Sequence, residues 1–398
     1  MEQIDSTIRG RTAIVGFAEL PTQRTYPGRS TLSLFAEVAR DAILDAGMRL
    51  AEIDGLITGD STNSLLVAQT LGLTPRYTAS MTLHGANGAS AVATAAAAIA
   101  AGLATNVLCI FGESRPASSS RLNAEAVARD GGGPRTLASE WEAPYGPVIA
   151  ANGGYGLMKQ RHMFQYGTTQ EQFAKCVVDE RFNAVENANA LWVGDLITID
   201  DVLASRMTND PLHLLEGVMP CSGANAAIVT SAERARTLPH PPVFILGVGG
   251  PVVTNDTMRT SHDITVSPTA IAAPLALAMA GYAPPDIEFV QFYDCYSIYV
   301  MMCIEDAGLC PKGEVGGFYQ DTDTTYLGTF PINTDGGQIG GGQPTGAGGF
   351  RHVVEAARQI MRRGGSRQVP KADLCLVNGN GGIASVVTTL VLGSAATL

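Results

Sequence analysis

Short apolar runs and longer mixed runs alternate along the chain. Thr12–Gly16 (TAIVG) is apolar and β-branched and ends on glycine, the pattern of a buried strand. Ser30 and Thr31 offer hydroxyls to cap a helix that runs to about Ala46 and stops at Gly47. Ile53–Thr58 (IDGLIT) and Asn106–Phe111 (NVLCIF) read as two further strands, the second following an alanine-rich helix. Strands alternating with helices in this way predict a mostly parallel sheet covered on both faces.

The pattern then recurs. Gly47–Asp60 (GMRLAEIDGLITGD) matches Gly281–Asp294 (GYAPPDIEFVQFYD) at a constant offset of 234 residues, each a helix end, a turn and a buried strand closing on Asp. The first strand recurs as Pro242–Gly247 (PVFILG). The helix 85–102 before NVLCIFG has its counterpart in 346–364 before DLCLVNG (373–379). Three segments repeated in the same order predict two similar halves, 1–235 and 240–398, with Pro239–Pro242 (PHPP) at the crossing. Between about 114 and 205 the alternation breaks down, in a stretch that holds Trp141 and Trp192 and has no equal in the second half. It reads as an inserted subdomain on the ligand side of the first half.

Composition narrows the function. Of 398 residues 45% are hydrophobic and 16% charged, enough apolar material for a large core and too little polarity for disorder. The 45 glycines follow no Gly-X-Y period, which excludes a collagen-like chain. A formal net charge of −11 argues against a general nucleic-acid binder and offers no polybasic membrane anchor. The N-terminus lacks a secretory pattern, and the low-charge stretch Leu83–Val107 reads as a buried helix rather than a membrane span. Seven scattered cysteines with no C-x-x-C pair predict neither a disulfide framework nor a zinc site in this chain, and the expected setting is a reducing, cytoplasmic one.

Ligands of α/β sheets collect beyond the carboxyl ends of strands, at helix N-termini. Three glycine-rich turns stand at such places: His84–Gly88, Gly340–Gly346 and Asn378–Gly382. None carries G-x-G-x-x-G after a first strand, and G-x-x-x-x-G-K-[ST] is absent, so nucleotide phosphate chemistry is disfavoured.

These turns, with EAPYG (142–146), RHMFQYGTT (161–169), DVLASRM (201–207) and the following DPLHLLE, GLCPKGE (308–314) and PINTDGGQIGGGQPTGAGG (331–349), carry a resemblance over nearly the whole chain. The chain resembles the thiolase superfamily, in particular the sterol-carrier-protein-type thiolases and the lipid-transfer-protein aldolases. The resemblance implies a thiolase-like α/β fold of two pseudo-symmetric βαβαβαββ halves in five αβαβα layers, with a loop domain over the site. It further implies a homodimer and an acyl-CoA thioester as ligand, with no covalently bound cofactor.

Against that family the chain departs at its chemistry. The thiolase nucleophile, a cysteine, falls on Gly85; the histidine of the G-H-P turn is Gln343; and H-D-C-F reads Tyr293-Asp294-Cys295-Tyr296. Acyl transfer through an acyl-enzyme needs a thiolate and its base, so ordinary thiolase activity is not expected. An oxyanion pocket built partly from backbone N–H groups would persist, at Gly85 and Asn378 with the neighbouring Gly379, and Gln343 would still donate to a thioester oxygen. Such a pocket suits retro-aldol cleavage of a β-hydroxyacyl-CoA. The related aldolases share the Tyr-Asp pair and act with a small partner bearing a zinc ribbon and an OB-fold, so zinc is expected only in that partner. The candidate catalytic residues are therefore Tyr293, Asp294, Cys295 and His84. Each has a plainer role open to it: a core aromatic, a helix cap before Ser297, a small buried thiol and a packed turn residue, respectively. Tyr145, Tyr155 and His162 are expected to line or support the inserted subdomain. Two other functions fit the same residues: an acyltransferase without a cysteine at the usual position, and an inactive subunit that binds acyl-CoA or scaffolds a partner.

Overall fold

The computed structural model describes residues 8–59, 62–115, 151–254 and 261–398. Asp60, Trp141, Tyr145 and the EAPYG segment lie outside the described residues.

Among the described residues nine strands form one sheet: β1 (Thr12–Glu19), β2 (Gly55–Gly59), β3 (Tyr77–Met81), β4 (Asn106–Glu113), β7 (Gly223–Ser231), β8 (Val243–Val253), β9 (Phe289–Phe292), β10 (Leu374–Gly381) and β11 (Val386–Gly393). A separate hairpin pairs β5 (Met207–Asn209) with β6 (Leu212–His213). The order across the sheet is β3-β2-β4-β7-β1-β8-β11-β10-β9. Reading outward from the central β1–β8 pair, β7-β4-β2 on one side answers β11-β10-β9 on the other. The pairings also answer: β2 runs parallel to β4 and β9 to β10, whereas β4–β7 and β10–β11 are antiparallel. The sheet is thus mixed rather than mostly parallel. The last two strands of each repeat form an antiparallel pair, and β1 and β8 meet antiparallel. Ile332 makes an isolated parallel bridge to Val290, where β3 lies beside β2 in the other half.

The helices follow from their apolar spacing. Thr31–Asp45 buries Leu34, Phe35, Val38, Ala39, Ala42 and Ile43 on one stripe and is capped by Ser30, whose hydroxyl accepts from Ser33 N–H at 3.2 Å. It packs outside β1 and β7, and Thr269–Ala280 does the same on β8 and β11. Between the halves of the sheet lie Asn87–Ala100 and Gly346–Ile360, packed on each other and on β4 and β10. Asn87–Ala100, with eight alanines in fourteen residues and ten of the fourteen buried, is narrow enough to pack closely between the sheet halves. At Gly88 a Cβ would stand 2.6 Å from the Cα of Phe350, so the central helices approach at a distance only glycine allows. Outer helix, one half of the sheet, the central helix pair, the other half of the sheet and outer helix make the five expected layers. Among the described residues no helix is long and apolar enough to cross a membrane.

Candidate active site

The site lies where β9 ends and the chain turns into the helix Ser297–Asp306. Tyr293 follows β9 directly, and its N–H donates to the carbonyl of Asn378 in β10 at 3.2 Å. Three successive side chains then part ways. Tyr293 and Cys295 face a cavity of about 400 Å³, and Asp294 turns into the protein. The inserted helix Asn152–Tyr166 supplies Asn152 and Tyr155 to the same cavity. The segment around β5 and β6 supplies Thr208, His213 and Val218. Gln343 and Tyr296 complete the polar lining.

Gly85 presses on this cavity from behind. A Cβ there would lie 2.3 Å from Tyr293 Cε2 and 2.3 Å from the carbonyl oxygen of Asn380. The tyrosine ring therefore fills the space that a nucleophile side chain at this position would need. Gln343 Nε2 donates to the Tyr293 hydroxyl oxygen at 2.9 Å, which leaves the hydroxyl hydrogen free to point elsewhere. The Gln343 backbone is held on both sides, donating to Met219 O at 2.9 Å and accepting from Cys221 N–H at 3.1 Å. Burial pushes the Tyr293 phenol well above its ordinary range, reinforced by Cys295 and Asp294, so it is a neutral donor at physiological pH.

A second phenol is held in the same way. Asn380 Nδ2 donates to the Tyr155 hydroxyl at 3.0 Å, and the Tyr155 ring stacks on Tyr296 with centroids 4.5 Å apart. Burial raises Tyr155 well above its ordinary range too. Cys295 is buried, and burial drives its thiol far up as well, so the nucleophilic thiolate is strongly disfavoured.

Asp294 does not cap the helix at Ser297; Tyr296 holds the cap position. Its Oδ2 instead accepts the backbone N–H groups of Gln338 and Ile339 at 2.7 and 2.9 Å, pinning the short helix Gly337–Gly341. Oδ1 lies 3.1 Å from His352 Nε2. Burial raises the Asp294 carboxyl, but the hydrogen bond and charge of His352 outweigh it, and the group sits below its usual value. Beside it Glu180 is raised well above the usual carboxylate range, by burial and then by the charge of Asp294. Of the two buried carboxyls, Glu180 is thus the one whose neutral form is favoured.

The other sequence candidates fall elsewhere. His84 is exposed, with φ +50°, and is not among the residues lining the cavity. Asn378 lies in β10 between β9 and β11, its side chain donating to Thr269 Oγ1 at 2.9 Å, away from the cavity. Gly379 abuts the Gly85 turn, where a Cβ would meet Gly85 O at 3.3 Å. The part of the third glycine turn that reaches the cavity is Asn380 and Gly382. His162 is buried at 3.2 Å from Glu305 and 2.9 Å from Thr168 Oγ1, supporting the inserted helices. The sequence does not single out His213, Asn380, Gln338, His352 or Glu180, although His213 stands within DPLHLLE, Asn380 within the third glycine turn, Gln338 within PINTDGGQIGGGQPTGAGG and His352 within the repeated helix 346–364. Among the described residues no group of three or more His, Cys, Asp or Glu could hold a metal ion.

A duplicated, five-layered sheet with its cavity at the end of β9, beside the two central helices, is the architecture of a thiolase-like protein, and the chain belongs to the thiolase superfamily, in its sterol-carrier and lipid-transfer aldolase group. Residues 250–394 match the thiolase C-terminal domain-like family. The chain is 31% identical to the steroid side-chain-cleaving aldolase of Thermomonospora curvata, over 98% of this chain and 99% of that one. It is 32% identical to an acetyl-CoA acetyltransferase of Methanothermobacter thermautotrophicus, over 89% and 92%. Among solved structures, the Ltp2-ChsH2(DUF35) aldolase superposes with a TM-score of 0.87 at 29% identity, covering 97% of this chain and 98% of that chain.

Proposed function

We propose that the chain is a carbon–carbon lyase that cleaves a β-hydroxyacyl-CoA by a retro-aldol reaction. Relatives of nearly equal identity carry the names of an aldolase and of an acyltransferase, so the site must decide between them. The observation that carries the reading is Tyr293 in the place of the nucleophile, with no room at Gly85 for a cysteine. A reaction without an acyl-enzyme fits that geometry. The β-hydroxyl loses its proton, the Cα–Cβ bond breaks, an aldehyde or ketone leaves, and the thioester enolate is protonated at Cα. The neutral hydroxyl of Tyr293 is suited to hold the enolate oxygen or to supply that proton.

The proposal includes a DUF35-type partner, by likeness to the aldolase named with one, and a homodimer; the zinc ribbon and OB-fold would belong to the partner. It also takes 1–235 and 240–398 as the repeated halves, with 114–205 as the subdomain beside the cavity. One observation favours acyl transfer as a second reading: Cys295 lines the cavity, though its thiol is held protonated by burial.

The test is to co-express the chain with a DUF35-type protein and supply β-hydroxyacyl-CoA thioesters with steroid, aryl and short branched chains. Release of a free carbonyl compound together with the shortened acyl-CoA is the expected result. Transfer of an acyl group to a second thioester would establish the acyltransferase instead. Tight acyl-CoA binding with no product would leave a binding subunit.

A further inference from the structure

Retro-aldol cleavage requires a group that takes the β-hydroxyl proton, and it must sit within hydrogen-bond reach of the substrate. Five described residues lining the cavity are titratable: Tyr155, His213, Tyr293, Cys295 and Tyr296. Burial raises the three phenols and the thiol, so all four hold their protons at neutral pH. They can donate, but they are poorly placed to accept. That leaves the imidazole.

His213 is placed with care. Its Nδ1 lies 2.9 Å from the carbonyl oxygen of Ser205. A carbonyl has no proton to give, so Nδ1 carries the ring N–H and the lone pair of the neutral ring is on Nε2. The backbone is anchored as well. His213 pairs with Met207 across the β5–β6 hairpin, and its N–H donates to Glu216 Oε1 at 2.9 Å. Glu216 is fixed in turn by Lys159 Nζ at 2.6 Å and by the Ser297 hydroxyl at 2.6 Å, in an ion pair that is almost fully buried. Asp210 adds its charge near Lys159. This buried polar structure fixes the backbone of His213 at the cavity wall.

We propose that His213 is the general base of this site: Nε2 takes the proton of the substrate's β-hydroxyl as the Cα–Cβ bond breaks. The inference rests on the lyase reading above. The O–H bond breaks and an N–H bond forms, the oxygen becomes the carbonyl of the departing product, and the Cα–Cβ electron pair passes into the thioester as its enolate. A phenol proton then goes to Cα, and the imidazolium returns its proton to the phenolate through water. No oxidant or reductant is consumed.

The experiment uses the chain with its DUF35-type partner and follows carbonyl release from a β-hydroxyacyl-CoA. His213→Asn keeps an amide donor for Ser205 but has nothing at Nε2; His213→Ala leaves a space for free imidazole. Both should lose on the order of 100-fold in kcat with acyl-CoA affinity kept, and imidazole should restore at least about tenfold to His213→Ala. Cleavage by His213→Asn at close to the wild-type rate overturns the assignment and leaves the lyase reading standing. Loss without rescue overturns it in favour of a packing role. No carbonyl release by the wild type, under conditions where acyl-CoA binds, overturns the lyase reading and this inference together.

Discussion

The ring of Tyr293 and a side chain at Gly85 would occupy the same volume: a Cβ on Gly85 would lie 2.3 Å from Cε2 and 2.4 Å from Cζ of that ring. The two positions are therefore coupled, and restoring the thiolase cysteine by Gly85→Cys should not restore a thiolase. Overpacking a filled core costs roughly 1–3 kcal/mol, so the variant should unfold at lower denaturant and lose carbonyl release. Truncating the ring as well, in Gly85→Cys with Tyr293→Ala, should recover part of the loss. The Asn380 carbonyl, also 2.3 Å from that Cβ, keeps the recovery incomplete. Denaturant titrations of the two single variants and the double variant measure the coupling. Additive losses would show that the ring and residue 85 do not compete.

Tyr293→Phe separates the hydroxyl from the ring. The ring still fills the space behind Gly85, so the fold should tolerate the change at about 1 kcal/mol, the cost of the hydrogen bond from Gln343. Catalysis should suffer far more, by on the order of 100-fold in kcat, if the hydroxyl serves the enolate. A rate equal to wild type, at unchanged stability, would remove Tyr293 from the chemistry. Tyr155→Phe is the companion variant. It also keeps its ring stack on Tyr296 while losing the hydroxyl held by Asn380.

Cys295 should be inert. Its thiol is buried and raised far above the ordinary value of 9.0, so its thiolate fraction is very small at pH 7.5. Peptide mass spectrometry after incubation with iodoacetamide, and separately with acyl-CoA, should find Cys295 unmodified in the folded protein. An acyl group trapped on it would favour the acyltransferase reading.

Local pattern carried much of the fold, because helix ends and buried strands have short-range causes. Gly47 and Gly281 both end helices in the left-handed region, at φ +67° and +77°, as their matched sequence positions require. The Tyr293, Gly85 and Gln343 substitutions were legible because they fall inside ordered motifs, and the structure brings all three together. Strand direction was not legible: a strand covered on both faces reads as the same apolar run whether its neighbour is parallel or antiparallel. Nor were the partners that meet only through tertiary packing. Tyr155 and Asn380 are 225 residues apart, and Asp294 and His352 are joined only because the central helix passes beside the end of β9. For Asn378 the sequence points only to its backbone N–H as an oxyanion donor; its side chain goes to the outer face, toward Thr269, by strand alternation.

Glu180 and Asp294 are both buried carboxyls yet should respond oppositely to neutralisation. Asp294 lies below its ordinary value because His352 and the N–H groups of the Gly337–Gly341 helix favour its charge. It stabilises the fold above the unfolded carboxylate pKa, and that contribution is lost as pH falls through the lower folded value. Asp294→Asn leaves one oxygen to serve two backbone donors and offers His352 a neutral partner, a loss of roughly 2–3 kcal/mol at neutral pH. Glu180 is raised well above the usual carboxylate range, by burial and then by the charge of Asp294, so the fold favours its neutral form. Its stabilisation is full below the unfolded pKa and declines as pH rises toward the folded value. Glu180→Gln preserves an oxygen for Asn333 Nδ2, 2.8 Å away, and removes that decline. The Gln variant should therefore be within about 1 kcal/mol of wild type at pH 5 and gain on it steadily toward pH 8. Melting curves of both variants across that range decide the matter. A Glu180→Gln protein that loses stability relative to wild type as pH rises would mean that the fold favours the ionised form of Glu180 and that its carboxyl is not raised.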